Sequence, residues 1–388
     1  MSAPLLRTVL GQPSWLFESS HVSAHLTQVG GQLAPVAFRL GQKTVSPYSV
    51  APWAEEKLGP DLPPLLHALR GDFFCAPFGG NGTPWRGERH PPHGETANAN
   101  WSLDAFEKSD SRVTLHASLA TTVRKGRVDK FLSLFAGHTA VYSRHVLSGM
   151  SGPMSLGHHA MLKFPEMPGS GAVSMSRFLR GQVLPMRFEQ PENFGYSALK
   201  PGAMFRSLKK VALATGGVTD LSSYPARKGY DDLVMMTADA TLPFAWSAVV
   251  LAGEGTVWFA LRDPRVLRHT ILWMSNSGRH YAPWNGRHSA VMGIEEVTGC
   301  FHLGLAESVK PNALSAAGLP TTVRLNPKKP TTVNYIMAVA AVPKGFDRVA
   351  EIRAVKGAAG GAAGVELVAE SGKRATCALD VEFLRGES

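Results

Sequence analysis

The chain has 388 residues, 44% of them hydrophobic, enough to bury a sizeable core in one large β domain or two smaller ones, and one is expected. Forty Lys and Arg against thirty Asp and Glu give a formal net charge of +10, yet the basic residues are dispersed in short clusters such as Lys209-Lys210 and Lys328-Lys329. No recognition helix, zinc finger or single-strand-binding signature accompanies them, which argues against a nucleic acid partner.

Three cysteines, Cys75, Cys300 and Cys377, are odd in number and far apart, so they exclude a disulfide scaffold and fit a reducing compartment. The first residues carry no basic segment followed by an apolar run and cleavage site, and no stretch is long enough to span a bilayer. A cytoplasmic chain with no membrane contact is the expectation.

In chain order, residues 1 to about 40 read as an N-terminal edge or extension of one domain over 1–388. Residues 54–58 and 63–70 read as short helices, the second opened by prolines suited to a first turn. Residues 71–81 and 90–101 crowd glycines with polar groups that include His93, Glu95, Asn98 and Asn100, a composition shared by ligand loops and ordinary turns. His90 and His93 flank a Pro-Pro spacer, but no further ligands are suitably spaced, and no metal is expected.

Alternating or apolar runs follow at 112–119, 128–135, 139–146, 244–251, 257–261, 290–294, 331–339 and 377–383, each bounded by turn signals and each read as a strand. In residues 151–165 the adjacent His158 and His159 lie in such a run, so alternation turns only one of them toward a given face. Glu295 stands at the end of the 290–294 run, and the same rule separates it from Glu296. Their adjacency therefore cannot supply the two carboxylates of a glycosidase. Residues 273–299 mix Trp273, Tyr281 and Trp284 with Asn276, Asn285, Arg279, Arg287, His280 and His288, the combination of flat apolar faces and hydrogen-bonding groups that suits a sugar. Residues 356–364 read as a flexible turn between two late strands. So many short strands with 39 glycines and 27 prolines predict an all-β, large antiparallel β super-sandwich with a few short helices.

Taken in order, Pro77-Phe-Gly-Gly-Asn81, Pro92-His93-Gly94, the 156–165 segment, Gly229-Tyr-Asp231 and residues 293–299 resemble the aldose 1-epimerase, or galactose mutarotase-like, enzymes. The resemblance implies that Glu295, as carboxylate, takes the proton of an anomeric hydroxyl while protonated His159 donates to the ring oxygen, with both groups near their ordinary pKa values. It implies no cofactor. His93, Asp231 and Arg70 would hold hydroxyls, Trp284 would form a platform, and Asn81, Asn285 and Arg287 would complete a monosaccharide site in a monomer or homodimer. Ala160 and Glu296 stand where many relatives have proline. A noncatalytic carbohydrate-binding protein is the alternative, as is an isomerase or lyase for a modified or anionic sugar, the latter suggested by Arg279 and Arg287 with Arg86 or Arg89.

Overall fold

The structure, a computed structural model, describes residues 4–356 and 363–386. Among the described residues, two antiparallel sheets of twelve and nine strands dominate, and a three-stranded sheet near the C-terminus joins them. Five strands of the twelve-stranded sheet matter for function: β1 (Asp72–Cys75), β2 (Leu156–Lys163), β3 (Tyr230–Ala238), β4 (His269–Asn276) and β5 (Val291–Thr298). They lie side by side in the order β1, β2, β5, β4, β3. The strands between residues 6 and 40 continue this sheet beyond β1, so the N-terminal segment forms its edge.

The period of two decides the layering. On β2, Ala160 and Leu162 enter the core between the two large sheets, whereas Met161 belongs to a separate apolar cluster on the opposite face. On β5, Ile294 enters the same core and Val297 the opposite cluster. That opposite face carries Phe73, Leu233, Ile271 and Trp273 and is roofed by loops and α1 (Pro64–Ala68). A third cluster, with Tyr142, Phe259 and Ile336 packed against Ile352, Val365 and Leu367, seats the three-stranded sheet on the back of the nine-stranded one. Burial on both faces explains why β4 and β5 read as nearly continuous apolar runs rather than alternating ones.

The expected strands are present with shifted ends: residues 112–119 extend to Arg112–Thr121, and 331–339 to Thr331–Ala341. Three local expectations change. Residues 54–58 form a turn and irregular chain instead of a helix. The strand expected over 377–383 is Arg374–Ala378 followed by a short helical turn at Glu382–Arg385. Glu295 lies in the middle of β5, not at the end of an apolar run, because Glu296 to Thr298 continue the pairing with β2. The flexible turn expected at 356–364 falls largely outside the described residues.

Candidate active site

A cavity of about 210 Å³ opens on the loop-covered face of the twelve-stranded sheet. Its floor comes from successive strands, with Phe73 on β1, His159 on β2, Glu295 on β5, Trp273 on β4 and Leu233 on β3. His93 and His302 enter from loops, Phe188 and Glu189 from the segment after the Phe178–Val183 strand, and Arg279 and Trp284 from the loop joining β4 to β5. Leu65, Leu66 and Leu69 close one side from α1 and the residues after it.

His159 is registered directly against Glu295 and against Phe73. The first pairing brings His159 Nε2 within 3.3 Å of Glu295 Oε1, and the second stacks the imidazole on the Phe73 ring at 4.5 Å. Both polar residues are almost wholly buried. Burial pushes the Glu295 carboxyl up to about 8, opposed by the Arg279 charge, and pushes the His159 imidazole down to about 3, assisted by the same charge. The expected pair of ordinary pKa values is therefore corrected: burial favours a neutral carboxyl beside a neutral imidazole. Glu295 Oε2 is buried without a hydrogen-bond partner.

His93 packs edge-on to His159, Phe73 and Phe78, with its Nδ1 3.4 Å from Cys75 Sγ. Burial lowers its pKa well below the ordinary histidine value and raises that of Cys75, so a neutral thiol meets a neutral imidazole. A thiol donating to Nδ1 leaves the Nε2–H of His93 to donate elsewhere. His302 Nδ1 also lacks a partner, and its pKa is lowered to about 4 by burial and by Arg279.

Arg279 is the cavity's cation. Its guanidinium lies 4.5 Å from the Trp284 ring centroid and 5.0 Å from that of Trp273, and its Nε contacts Glu189 at 2.7 Å and Asp231 at 3.5 Å. Asp231 shares the cavity face of β3 with Leu233 but lies beneath the lining, 0% exposed. It accepts from Ser275 Oγ at 2.8 Å and from the Gly278 backbone N–H, also at 2.8 Å, fixing the start of the β4–β5 loop. Gly278 is required there, because an added Cβ would meet Asp231 N at 2.1 Å.

Of the site residues that the resemblance implies, His93, His159, Glu295 and Trp284 line the cavity, with Asp231 one layer below. Four others do not line it. Arg70 spends its guanidinium on the carbonyls of Ala68, Val9 and Leu10, tying the N-terminal hairpin to the sheet. The Asn81 amide is consumed by the carbonyls of Pro77, Gly79 and Pro91 and by the Leu305 N–H. Asn285 sits in an exposed turn. Arg287 forms a bidentate pair with Glu56 on the surface, at 2.5 and 2.8 Å, and so does not supply the expected positive charge. Glu189, Phe188 and His302 are cavity residues that the sequence reading missed. All three lie in irregular segments where no period reveals facing.

His158 and Glu296 take the opposite side of the sheet. His158 Nδ1 meets Asp72 Oδ2 at 2.8 Å with its ring stacked on Tyr335, and Glu296 pairs with Arg262 at 2.5 Å. His90 bonds Glu88 while His93 faces Cys75, so the two do not share a ligand position. Among the described residues the one metal-like cluster is Asp104, His116 and Asp129, away from the cavity, and Arg127 bonds both of its carboxylates.

Solved structures with the same architecture were found. A galactose mutarotase-like protein from Clostridium acetobutylicum aligns over 86% of this chain and 97% of its own, with TM-score 0.57 and 13% identity. The chain has the galactose mutarotase-like fold. A galactose mutarotase related enzyme from Lactobacillus acidophilus aligns over 84% and 97%, with TM-score 0.53 and 11% identity. An aldose epimerase homologue from C. elegans aligns over 85% and 100%, with TM-score 0.52 and 12% identity. No family model and no curated protein matches the sequence. Identities this low establish the fold and leave the chemistry to be argued from the site.

Proposed function

We propose that this chain is an aldose 1-epimerase-type mutarotase that interconverts the anomers of a neutral monosaccharide by acid–base ring opening. The observation that supports this reading best is the 3.3 Å approach of His159 to Glu295 on the cavity floor. Opening a cyclic hemiacetal removes the proton from one oxygen of the anomeric carbon and delivers a proton to the other. Two oxygens on one carbon call for an acid and a base that are close neighbours. Hydrolysis of a glycosidic bond instead calls for two carboxyl groups about 5–9.5 Å apart across the bond.

The pair holds one transferable proton at neutral pH whether it sits on Glu295 or on His159. Burial favours the carboxyl, because neither charge is well solvated there. A sugar hydroxyl donating to the Glu295 carboxyl would stabilise the carboxylate and shift the proton to His159, producing the base and acid that ring opening uses. After opening, the proton taken from the anomeric hydroxyl resides on Glu295 and His159 is neutral. Rotation about the bond next to the aldehyde and reclosure with the transfers reversed give the other anomer. His93 Nε2–H is suited to hold a hydroxyl, and the Trp273 and Trp284 rings provide apolar walls.

Arg279 does not argue for an anionic sugar, since Glu189 and Asp231 already balance it. Cys75, Cys300 and Cys377 are unpaired and buried, in keeping with a cytoplasmic enzyme, and among the described residues no helix is long and apolar enough to cross a membrane. Exchange NMR between anomer signals of neutral, phosphorylated and acidic sugars tests the proposal. Faster exchange of a neutral sugar with protein than without supports it. Saturation transfer to a sugar whose anomers exchange no faster than in buffer would establish a binding protein instead.

A further inference from the structure

Hydroxyl groups of a bound sugar must find partners, and this cavity offers few. Its polar lining is His93, His159, Glu189, Arg279, Glu295 and His302, and no serine, threonine, asparagine or glutamine side chain joins them among the described residues. Two of the six are partly engaged with one another. Glu189 accepts from Arg279 and from Tyr281 Oη, while Arg279 is held between Glu189 and Asp231 with its face against Trp284. His159 and Glu295 serve the anomeric oxygens, which leaves His93, His302 and the Nη groups of Arg279 for the remaining hydroxyls. Elsewhere the wall is apolar, and Leu65, Leu66, Leu69 and Leu233 present methyl groups that no hydroxyl can use.

A fully hydroxylated hexose buried against such a wall would leave hydroxyls unpaired, a cost of about 1–3 kcal/mol for each buried group. A methyl group in the same place would instead gain from burial. Resting on the mutarotase reading of this cavity, we propose that its substrate is a hydroxyl-poor sugar, a 6-deoxyhexose whose methyl substituent packs against the leucine wall while its anomeric carbon faces His159 and Glu295. The volume of about 210 Å³ lies below the range typical of sites for larger ligands and suits a single monosaccharide. A phosphate on the sixth carbon would meet leucine side chains and an arginine already neutralised by two carboxylates.

The test uses matched pairs that differ only at the sixth carbon: D-fucose against D-galactose, 6-deoxy-D-glucose against D-glucose, and L-rhamnose against L-mannose, with D-glucose 6-phosphate as the charged comparator. Anomer exchange is measured by NMR with the full-length protein, and affinity by saturation transfer. The expected result is a kcat/KM about tenfold or more higher for the deoxy member of at least one pair, with the phosphate turned over most slowly. Leu66→Asn, at a half-buried position that tolerates a polar side chain, should narrow that ratio by favouring the hydroxylated partner. A parent hexose turned over as well as or better than its deoxy counterpart in every pair would overturn the inference and leave the mutarotase reading intact. Preferential binding of the deoxy sugar without accelerated exchange would do the reverse, while neither binding nor exchange of any of the seven sugars would overturn both.

Discussion

His159 and Glu295 face each other across registered positions of adjacent strands, while their chain neighbours His158 and Glu296 are turned through the sheet into the sandwich core. Glu295→Gln keeps the shape of the side chain and removes the base, and is expected to slow anomer exchange at least about a hundredfold with little change in sugar affinity. His159→Gln should behave alike. His158→Gln should leave exchange at the parental rate and instead destabilise the fold by about 1–3 kcal/mol, because Asp72 loses its imidazole partner in the core and its other oxygen is already unpartnered. Equal exchange by Glu295→Gln and the parent on a confirmed substrate would remove Glu295 from the chemistry.

The pH dependence follows from the shared proton. With Glu295 raised to about 8 and His159 lowered to about 3, the pair carries one transferable proton across the interval between them, gains a second below it and loses its last above it. The kcat/KM profile should therefore be flat through neutrality and fall about tenfold per pH unit above about 8, where no proton remains for the ring oxygen. Stability moves with it. The folded-state pKa of Glu295 is raised, so its contribution is fully present below its ordinary value and is lost as the pH rises through about 8. Denaturation of Glu295→Gln and the parent at several pH values should show the variant gaining relative stability toward alkaline pH, and parallel curves would contradict the raised pKa.

How far the site could be read from the sequence depends on backbone regularity. His159 against His158 and Glu295 against Glu296 were separable because a strand alternates, and strand order brought those two positions together. The same logic fails for Arg70, at the end of a short helix, where nothing in the sequence tells that the guanidinium turns back to Val9 and Leu10. Asn81 and Asn285 lie in left-handed turns, at φ 54° and 45°, where an asparagine is as useful to the backbone as to a ligand. Glu189 and His302 come from loops whose facing is set by tertiary contacts, Glu189 by Arg279 and His302 by the Phe188 ring. The fold was legible because turn-bounded strands recur along most of the chain. The pKa displacement was not, because burial depth is a property of the assembled sheet.

Arg70 offers a direct test of that distinction. Arg70→Ala removes three bonds from a buried guanidinium to backbone carbonyls and should cost at least about 2 kcal/mol by chemical denaturation while leaving the KM for sugar unchanged. A raised KM at undiminished stability would return Arg70 to the substrate site.

Arg279 and Arg287 lie eight residues apart in one loop and should respond in opposite ways. Arg287 pairs with Glu56 in solvent, where water and salt screen the interaction, so Arg287→Ala should leave melting temperature, sugar affinity and salt dependence close to parental. Arg279 holds Glu189 and the fully buried Asp231 and packs on Trp273 and Trp284. Arg279→Ala would leave two carboxylates without their cation, a loss of about 3–5 kcal/mol. Arg279→Met, which retains much of the apolar stem, should recover packing against the indoles but not the charge balance. Removing the cation should also raise the Glu295 pKa further, because the Arg279 charge is what opposes its desolvation. The alkaline limb of kcat/KM in Arg279→Met should then move to higher pH than in the parent, and an unmoved limb would show that Arg279 shapes the cavity without tuning its proton.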